Sequence, residues 1–498
     1  MPELVTHSPR WGRTVRGTCL GPIRERHGRA RPILHAGVSF PPRARPHGLP
    51  MHAELDETLE IFGQQNVGVT TPFVFCYALP DSTDLAPVIT TLESGLRRLT
   101  VGFPWIAGKV VKEDKTDGRS GVFKIKQGWD IPRLFVKDHR DNPDAPTMRA
   151  LVDAAFPVSM LPEAMFSPVN VLPTNPEQDR SPVFVLQVNR IKGGLLLTIV
   201  GNHQALDGTG QEQVSYLFNK ACHGVPFSEE EIRIGNLSRS TIVTPLDENW
   251  QPATDSPYLK VQQKTATADP TPATQPRWVT IIFSGAALAT LKAQANDELH
   301  AGFVSTDDAL TALIWQALAR ARLARLPASK ESTLGRAINP RRYLGIPATY
   351  PGYITNMAYT SQTLGQLDAL SLGDIGSMLR AAVDPETSGL DRTTREFATL
   401  LYRAADKDSV SVHEGLDLSA DVMLSSWAGM RCYDFDFGMP FGAPIAFRRT
   451  LMDPLASLIF LLPKRRDGEI AVNLGALEED LTRLRADEHL KRYGQFLD

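Results

Sequence analysis

The fold turns on residues 191–211, IKGGLLLTIVGNHQALDGTGQ. Leu195 to Val200 is a short, continuous apolar run, the mark of a strand buried on both faces. Lys192–Gly193–Gly194 is a turn signal, and Val183 to Ile191 before it is a second apolar run, so the two make a β-hairpin. His203 stands where the second strand ends. Asp207–Gly208 follows four residues later, and a helix is expected from there to about Cys222. An imidazole is thereby placed at the end of a sheet, where clefts form.

The rest of the chain alternates in the same way. PVITTLESGLRRLT begins with Pro87 in a first helical turn, and Ile89, Leu92, Leu96 and Leu99 recur at helical spacing. IAGKVV, a polar turn and VFKIK form a further hairpin. WVTIIF, DVMLSSW and EIAVNL read as strands. STDDALTALIWQALARARL reads as a helix capped by Ser305, with Asp307 and Asp308 in its first turn and Leu310, Leu313, Ile314, Ala317 and Ala321 on its buried face. A last helix starts near Glu478. Strands alternating with helices in both halves predict an α/β protein, and 498 residues call for more than one core.

The formal net charge of −3 averages two unlike regions. Residues 1–50 carry nine Arg, no Lys and two Glu, a balance of +7, with eight Pro and no periodicity. They predict a disordered, dispensable Arg/Pro-rich extension ahead of an internal start at Met51; a transit peptide and a nucleic-acid-binding tail are the competing readings. The remaining residues hold 44 basic and 54 acidic side chains, −10, which excludes a globally basic nucleic-acid binder. The expected division is 51–255 for a first domain with His203, 256–277 for a Thr/Ala/Pro-rich connector, and 278–498 for a second domain. Four scattered Cys without a CxxC pair predict reduced thiols in a cytoplasmic protein and no zinc site. No apolar run reaches the length of a membrane span.

Several motifs fail. GFPWIAGK has the wrong spacing for a phosphate loop. His139–Arg140–Asp141 and Asp436–Phe437–Gly438 look like kinase triplets, but no Asn follows Asp141 at the required distance and no glycine-rich loop exists. Neither GxSxG nor HExxH occurs. The HxxxD spacing recurs at His52/Asp56 and His413/Asp417, so it says little alone. Only at His203 does Gly follow, and only there does an apolar strand lead in.

Two further constellations lend HQALDG its meaning. One is NPRRY with YPGYITNM, which contains Asn339, Arg341, Tyr350, Gly352 and Asn356. The other is SSWAGMRCYDFDFGMPFGAP, which contains Ser425, Ser426, Trp427 and Asp436–Phe437–Gly438. In this order the three resemble the plant–fungal BAHD family of CoA-dependent acyltransferases, marked by HxxxDG and a DFGWG-like motif. They are more similar still to the fungal trichothecene 3-O-acetyltransferases. LESGLRRLTVGFPWIAGKV, VKDHRDNPDAPT, FVSTDDALTALIW and LPKRRDGEIAV share in the likeness, which runs from about Leu59 to the C-terminus. One departure is that Met439–Pro440 stand where the plant motif has Trp-Gly.

The resemblance implies an α/β fold of two chloramphenicol-acetyltransferase-like domains with an active-site channel between them. It implies acyl transfer, with acetyl-CoA as the expected co-substrate, to a hydroxyl of a fungal secondary metabolite such as a trichothecene-like sesquiterpenoid, without a metal. An alcohol must lose its proton as it attacks, and a neutral imidazole suits that task; His203 is the expected general base. Asp207 is expected to point away from the substrate and pair with Arg341. Ser425 and Trp427 are candidate oxyanion donors. Asp436 is counted with the catalytic set, although it is expected to lie further off and hold its loop. Ser305, Ser426 and Arg448 are candidate CoA contacts, and Arg448–Arg449 and Lys464–Arg465–Arg466 are the basic pairs and runs an acidic body would need for CoA phosphates. The expected partners are acyl-CoA and a hydroxylated small molecule, with no nucleic acid and no membrane, and the expected state is a monomer. A condensation- or carnitine-type acyltransferase and a non-catalytic binding homologue remain the alternatives.

Overall fold

The hairpin at the centre of the first half is buried along its whole length. Phe184–Ile191 and Gly194–Asn202 pair antiparallel, with Ile191 opposite Gly194 across the Lys192–Gly193 turn. The structure, a computed structural model, describes residues 55–65, 68–172, 181–252, 275–299, 301–412 and 415–498. The expected N-terminal extension, 1–50, and residues 256–274 of the expected connector lie outside the described residues, and Pro276 and Arg277 already belong to the strand Pro276–Phe283.

Five strands form the first sheet, in the order Ala446–Arg448, Thr70–Ala78, Gly194–Asn202, Phe184–Ile191 and Arg133–Asp138. Helices Ala86–Gly102 and Gly208–Cys222 cover one face of it. Leu92, Leu96 and Leu99 of the first share a cluster with Val214, Leu217 and Phe218 of the second. This is the expected helical stripe buried against an expected sheet. The hairpin Lys109–Glu113 and Val122–Lys126 sits in a smaller four-stranded sheet with Asp56–Thr58 and Ser181–Pro182.

The second sheet has seven strands, in the order Asn356–Thr363, Glu331–Ile338, Val422–Ser426, Leu458–Leu461, Ile470–Leu477, Pro276–Phe283 and Gly494–Phe496. Its centre is parallel, from Glu331–Ile338 through Val422–Ser426 to Leu458–Leu461. Helix Thr306–Arg322 packs on one face. Ser305 caps it through a reciprocal box with Asp308, as the sequence predicts. The expected single buried face is too narrow. Ala309, Ala312, Trp315 and Leu318 are buried too, because Gly285–Asp297, Leu372–Ala381 and Glu478–Ala486 surround the helix with the sheet.

The two halves are tied by one excursion of the chain. After Ser426 the backbone leaves the second sheet and adds Ala446–Arg448 to the edge of the first, opposite Val74–Cys76. Phe437 and Phe447, which it carries, pack edge-on to Phe75 at 5.0 and 5.2 Å, an arrangement that adds to the gain from burial alone. The core beneath His203 therefore contains residues from both ends of the chain.

Candidate active site

His203 follows the last residue of Gly194–Asn202. Its backbone N–H is held by the Val69 carbonyl at 3.1 Å, and Asn202 turns the chain by accepting from Ala205 and Leu206. That turn brings the Leu206 carbonyl to 3.0 Å from His203 Nδ1. A carbonyl only accepts, so Nδ1 carries the proton and Nε2 keeps its lone pair. Burial pushes the imidazole below its ordinary value of 6.5, and the positive charge of Arg449 adds to that; the Leu206 carbonyl and Asp207 oppose it. The ring is thus neutral at pH 7, and among the described residues its basic nitrogen has no hydrogen-bond partner. Tyr353 stands edge-on to it at 5.3 Å.

Asp207 faces elsewhere. It is the N-cap of Gly208–Cys222, and Oδ1 accepts from Gly210 N–H at 2.6 Å. Oδ2 accepts from Ile354 N–H at 2.7 Å. Arg341 takes both oxygens, at 3.1 Å (Nη2 to Oδ1) and 2.8 Å (Nη1 to Oδ2). The remaining guanidinium donors reach Asn339 Oδ1 and the carbonyls of Tyr350 and Gly352. Both charges are buried and every lone pair and proton has a partner, the condition under which a buried pair is tolerated. The carboxylate has nothing left to offer the imidazole.

A second buried set braces the same loops. Glu60 Oε1 accepts from Arg239 at 2.6 Å, from Tyr350 Oη at 2.6 Å and from Tyr353 N–H at 3.2 Å. Arg239 also donates to the Ala205 carbonyl inside HQALDG at 3.0 Å and lies over Trp105. The fit leaves no room. A methyl group on Gly352 would sit 1.6 Å from Glu60 Oε1, and one on Gly210 would sit 2.1 Å from the Pro351 carbonyl. Glu60 and Arg239, 179 residues apart, carry no local sequence signal.

From the second sheet come Ser425 and Trp427, at the carboxyl end of Val422–Ser426, the end of a parallel sheet at which ligands bind. A methyl group on Gly208 would lie 3.6 Å from Trp427 Nε1, so the indole stands beside the start of the helix that follows HQALDG. Its N–H donates to Ser425 Oγ at 3.1 Å. The Trp427 N–H is engaged, whereas the Ser425 hydroxyl, fixed as an acceptor by the indole, keeps its own proton to give.

The remaining candidates separate. Asp436 does not join His203. It meets His223 Nε2 at 2.5 Å and Gly438 N–H at 2.9 Å, while Asn219 holds Phe437 N–H. Asn219 and His223 mark the far end of Gly208–Cys222, a helix of 15 residues, or ~22 Å. Phe437 and Gly438 both take positive φ, 51° and 66°, to make this tight loop, and Met439 is buried in the cluster around Phe75. Arg448 is buried, and its guanidinium donates to the carbonyls of Ala155, Phe156 and Phe447. It braces a left-handed turn at Ala155 and Phe156, both at φ 58°, and lines a cleft with Ile445 and Arg465. Ser305 and Ser426 belong to one polar cluster at the N-terminus of Thr306–Arg322. Ser426 donates to Asp307, and Ser305 meets Asp308 and Arg380; Arg336 bridges the two aspartates. Arg465 and Arg466 line a cleft of about 280 Å³ with Tyr433, Pro444 and Ile445, and Lys464 beside them is exposed.

Among the described residues no group of His, Cys, Asp and Glu is arranged to hold a metal ion, and no helix is long and apolar enough to cross a membrane. Cys76, Cys222 and Cys432 are free and buried. The arrangement as a whole is a neutral base, a serine hydroxyl from a different sheet, and two buried ion-pair networks that fix the loops between them. It suits removal of a proton from a hydroxyl with stabilisation of a developing oxyanion.

Comparison with known proteins agrees. Residues 69–222 match the family model of the trichothecene 3-O-acetyltransferase-like N-terminal domain. The O-acetyltransferase dmxR13 of Cryptosporiopsis sp. (strain 8999) is 42% identical over 450 residues, 89% of this chain and 98% of that protein. Trichothecene 3-O-acetyltransferase TRI101 of Fusarium sporotrichioides is 40% identical, over 89% of this chain and 97% of that protein. The crystal structure of F. graminearum TRI101 complexed with coenzyme A and deoxynivalenol superposes with a TM-score of 0.85 at 38% identity, covering 89% of this chain and 100% of the other.

Proposed function

The chain belongs to the fungal trichothecene 3-O-acetyltransferase-like family of O-acyltransferases, and from that premise we propose that it moves an acetyl group from acetyl-CoA to a hydroxyl of a trichothecene-like sesquiterpenoid. The family fold is the α/β pair of chloramphenicol-acetyltransferase-like domains with the site between them. The observation that carries the assignment of roles is the His203 Nδ1–H···O=C Leu206 bond, which leaves Nε2 as the free base.

In the proposed reaction His203 Nε2 takes the acceptor hydroxyl proton as that oxygen attacks the thioester carbonyl. The carbonyl oxygen becomes an oxyanion and receives the Ser425 Oγ–H, held in place by Trp427. Collapse breaks the C–S bond, and the imidazolium returns the proton to the CoA thiolate. Base catalysis contributes about 10²–10⁴ in rate, and one oxyanion donor contributes about 10²–10³. Asp207 and Arg341 are positioning residues. They fix the loop that sets the imidazole and touch neither substrate. Transfer is proposed to be direct within a ternary complex, with no covalent acyl-enzyme.

CoA is bound through its own contacts on an otherwise acidic body, with the Lys464–Arg466 rim as the proposed receiver of its phosphates. A cytoplasmic monomer is part of this proposal, in keeping with three free, buried thiols. The test is an acceptor screen with acetyl-CoA, read as thiol release and as a product mass increase of one acetyl group. Acetylation of hydroxylated sesquiterpenoids is expected. Thiol release with no acetylated acceptor across trichothecenes and other hydroxylated metabolites would refute the acceptor class.

A further inference from the structure

Arg449 is a buried cation that the proposed reaction does not use. It is 5% exposed. It follows Arg448 but faces the opposite way, as successive residues of an extended segment do. Its guanidinium lies 3.6 Å from the centroid of Phe460 and 5.3 Å from that of Trp427. Among the described residues no carboxylate pairs with it, and its acceptor is a thioether, Met452 Sδ at 3.3 Å from Nη2. Nε has no hydrogen-bond partner. Burial lowers its pKa to about 9, with the Glu163 carboxylate opposing the shift, so it remains charged at pH 7.

Asn473 is a neighbour of the same ring in the sheet. Ser425 lies opposite Phe460 in the sheet, and Phe460 lies opposite Asn473. Side chains in such a cross-strand row share one face. Val472 and Leu474 point to the core around Thr306–Arg322, whereas Phe460 and Ala471 face the cluster of Trp427; Asn473 therefore faces Trp427 as well. It is 2% exposed, and neither Oδ1 nor Nδ2 has a partner. Buried polar groups are nearly always satisfied, and an exception asks for a reason. Here two exceptions adjoin one aromatic ring beside Ser425 and Trp427, where an acyl-transfer reaction would take place.

We propose that Arg449 and Asn473 form a polar subsite, next to Ser425 and Trp427, that binds a carbonyl, ether or hydroxyl oxygen of a substrate in the ternary complex. This rests on the acetyl-transfer reading above. The Arg449 guanidinium supplies donors only, so the ligand atom is an acceptor. The Asn473 amide supplies a second donor and can also receive an O–H or N–H from the same ligand. Acetyl-CoA and the acceptor alcohol both offer such oxygens, and the experiment tells them apart.

Arg449→Met and Asn473→Leu are compared with wild type in two measurements, calorimetric affinity for acetyl-CoA and KM for deoxynivalenol. In Arg449→Met one of the two constants is expected to weaken about tenfold to a hundredfold, while the other changes less than threefold; the affected constant identifies the source of the oxygen. Asn473→Leu is expected to weaken the same constant with no loss of thermal stability, because it removes an unpaired buried amide. Both constants within twofold of wild type in Asn473→Leu, or equal weakening of both in the two variants, would overturn the subsite. If Arg449→Met does not fold, Asn473→Leu decides by the same criterion. If wild type does not acetylate deoxynivalenol, that result counts against the proposed acceptor; the second arm is then calorimetric affinity for deoxynivalenol, and both affinities within twofold of wild type in Asn473→Leu would overturn the subsite.

Discussion

Replacing Asp207 by Asn isolates the buried ion pair from the helix cap. Asn is as good an N-cap as Asp, so Gly208–Cys222 keeps its first hydrogen bond if the amide oxygen faces Gly210. Each Asp207 oxygen accepts one backbone N–H and one Arg341 N–H. With the amide oxygen toward Gly210, its NH₂ faces Ile354 N–H and Arg341 Nη1, donor against donor. Arg341, 1% exposed, is left with no opposing charge. Removing one member of a buried pair costs about 3–5 kcal/mol. The unit Pro46–Asp498 has about 450 residues, and an unfolding entropy near 2.1 cal/mol/K per residue makes that a fall in Tm of about 3–5 °C. Activity falls with it, because Ile354 adjoins Tyr353, which packs on the His203 ring, and a shift of ~1 Å there costs about 10²-fold in kcat. Calorimetric melting and thiol release from acetyl-CoA measure the two effects. In the double variant with Arg341→Met, part of the stability returns, by on the order of 1–3 kcal/mol of coupling. An Asp207→Asn protein with the wild-type Tm and a displaced pH profile would refute the reasoning, since Asp207 would then be acting on the imidazole directly.

Three further outcomes test neighbouring parts of the site. With the imidazole pKa lowered by burial, the acid limb of kcat/KM is expected below 6.5 and the rate flat above it; a limb above 6.5 would contradict the buried neutral base. The same shift makes the unfolded chain the better proton acceptor, so the contribution of His203 to stability is complete above 6.5 and declines as the pH falls below it. Ser425→Ala is expected to lower kcat about 10²–10³-fold and Trp427→Phe only about tenfold, because the indole acts through the serine; equal losses would mean that Trp427 donates directly. Asp436→Ala removes a half-exposed pair with His223 worth about 0–1 kcal/mol, and kcat should remain within about threefold of wild type.

What could be read from the sequence was what is local. The hairpin into HQALDG needs only an apolar run, two glycines and a cap. The helix at Ser305 carries its capping box within four residues. Arg341 was reachable only through the family resemblance, because 134 residues separate it from Asp207. Glu60 and Arg239 were not reachable, since a buried pair formed by tertiary packing leaves no periodic trace in either segment. Arg448 and Arg449 read as one basic patch, but strand alternation sends one to the Ala155–Phe156 turn and the other to Trp427. The strand Ala446–Arg448 gave no warning that it would join the first sheet, because three residues are too few to show a period and their partner lies some 370 positions earlier.

The most direct test of the central claim is kcat for acetyl transfer by His203→Ala, measured with its melting temperature. His203 is held at its backbone by Val69 and adds no ion pair among the described residues. The variant should therefore melt close to wild type while losing about 10²–10⁴ in kcat. Activity within tenfold of wild type in a folded His203→Ala protein would contradict its role as the base.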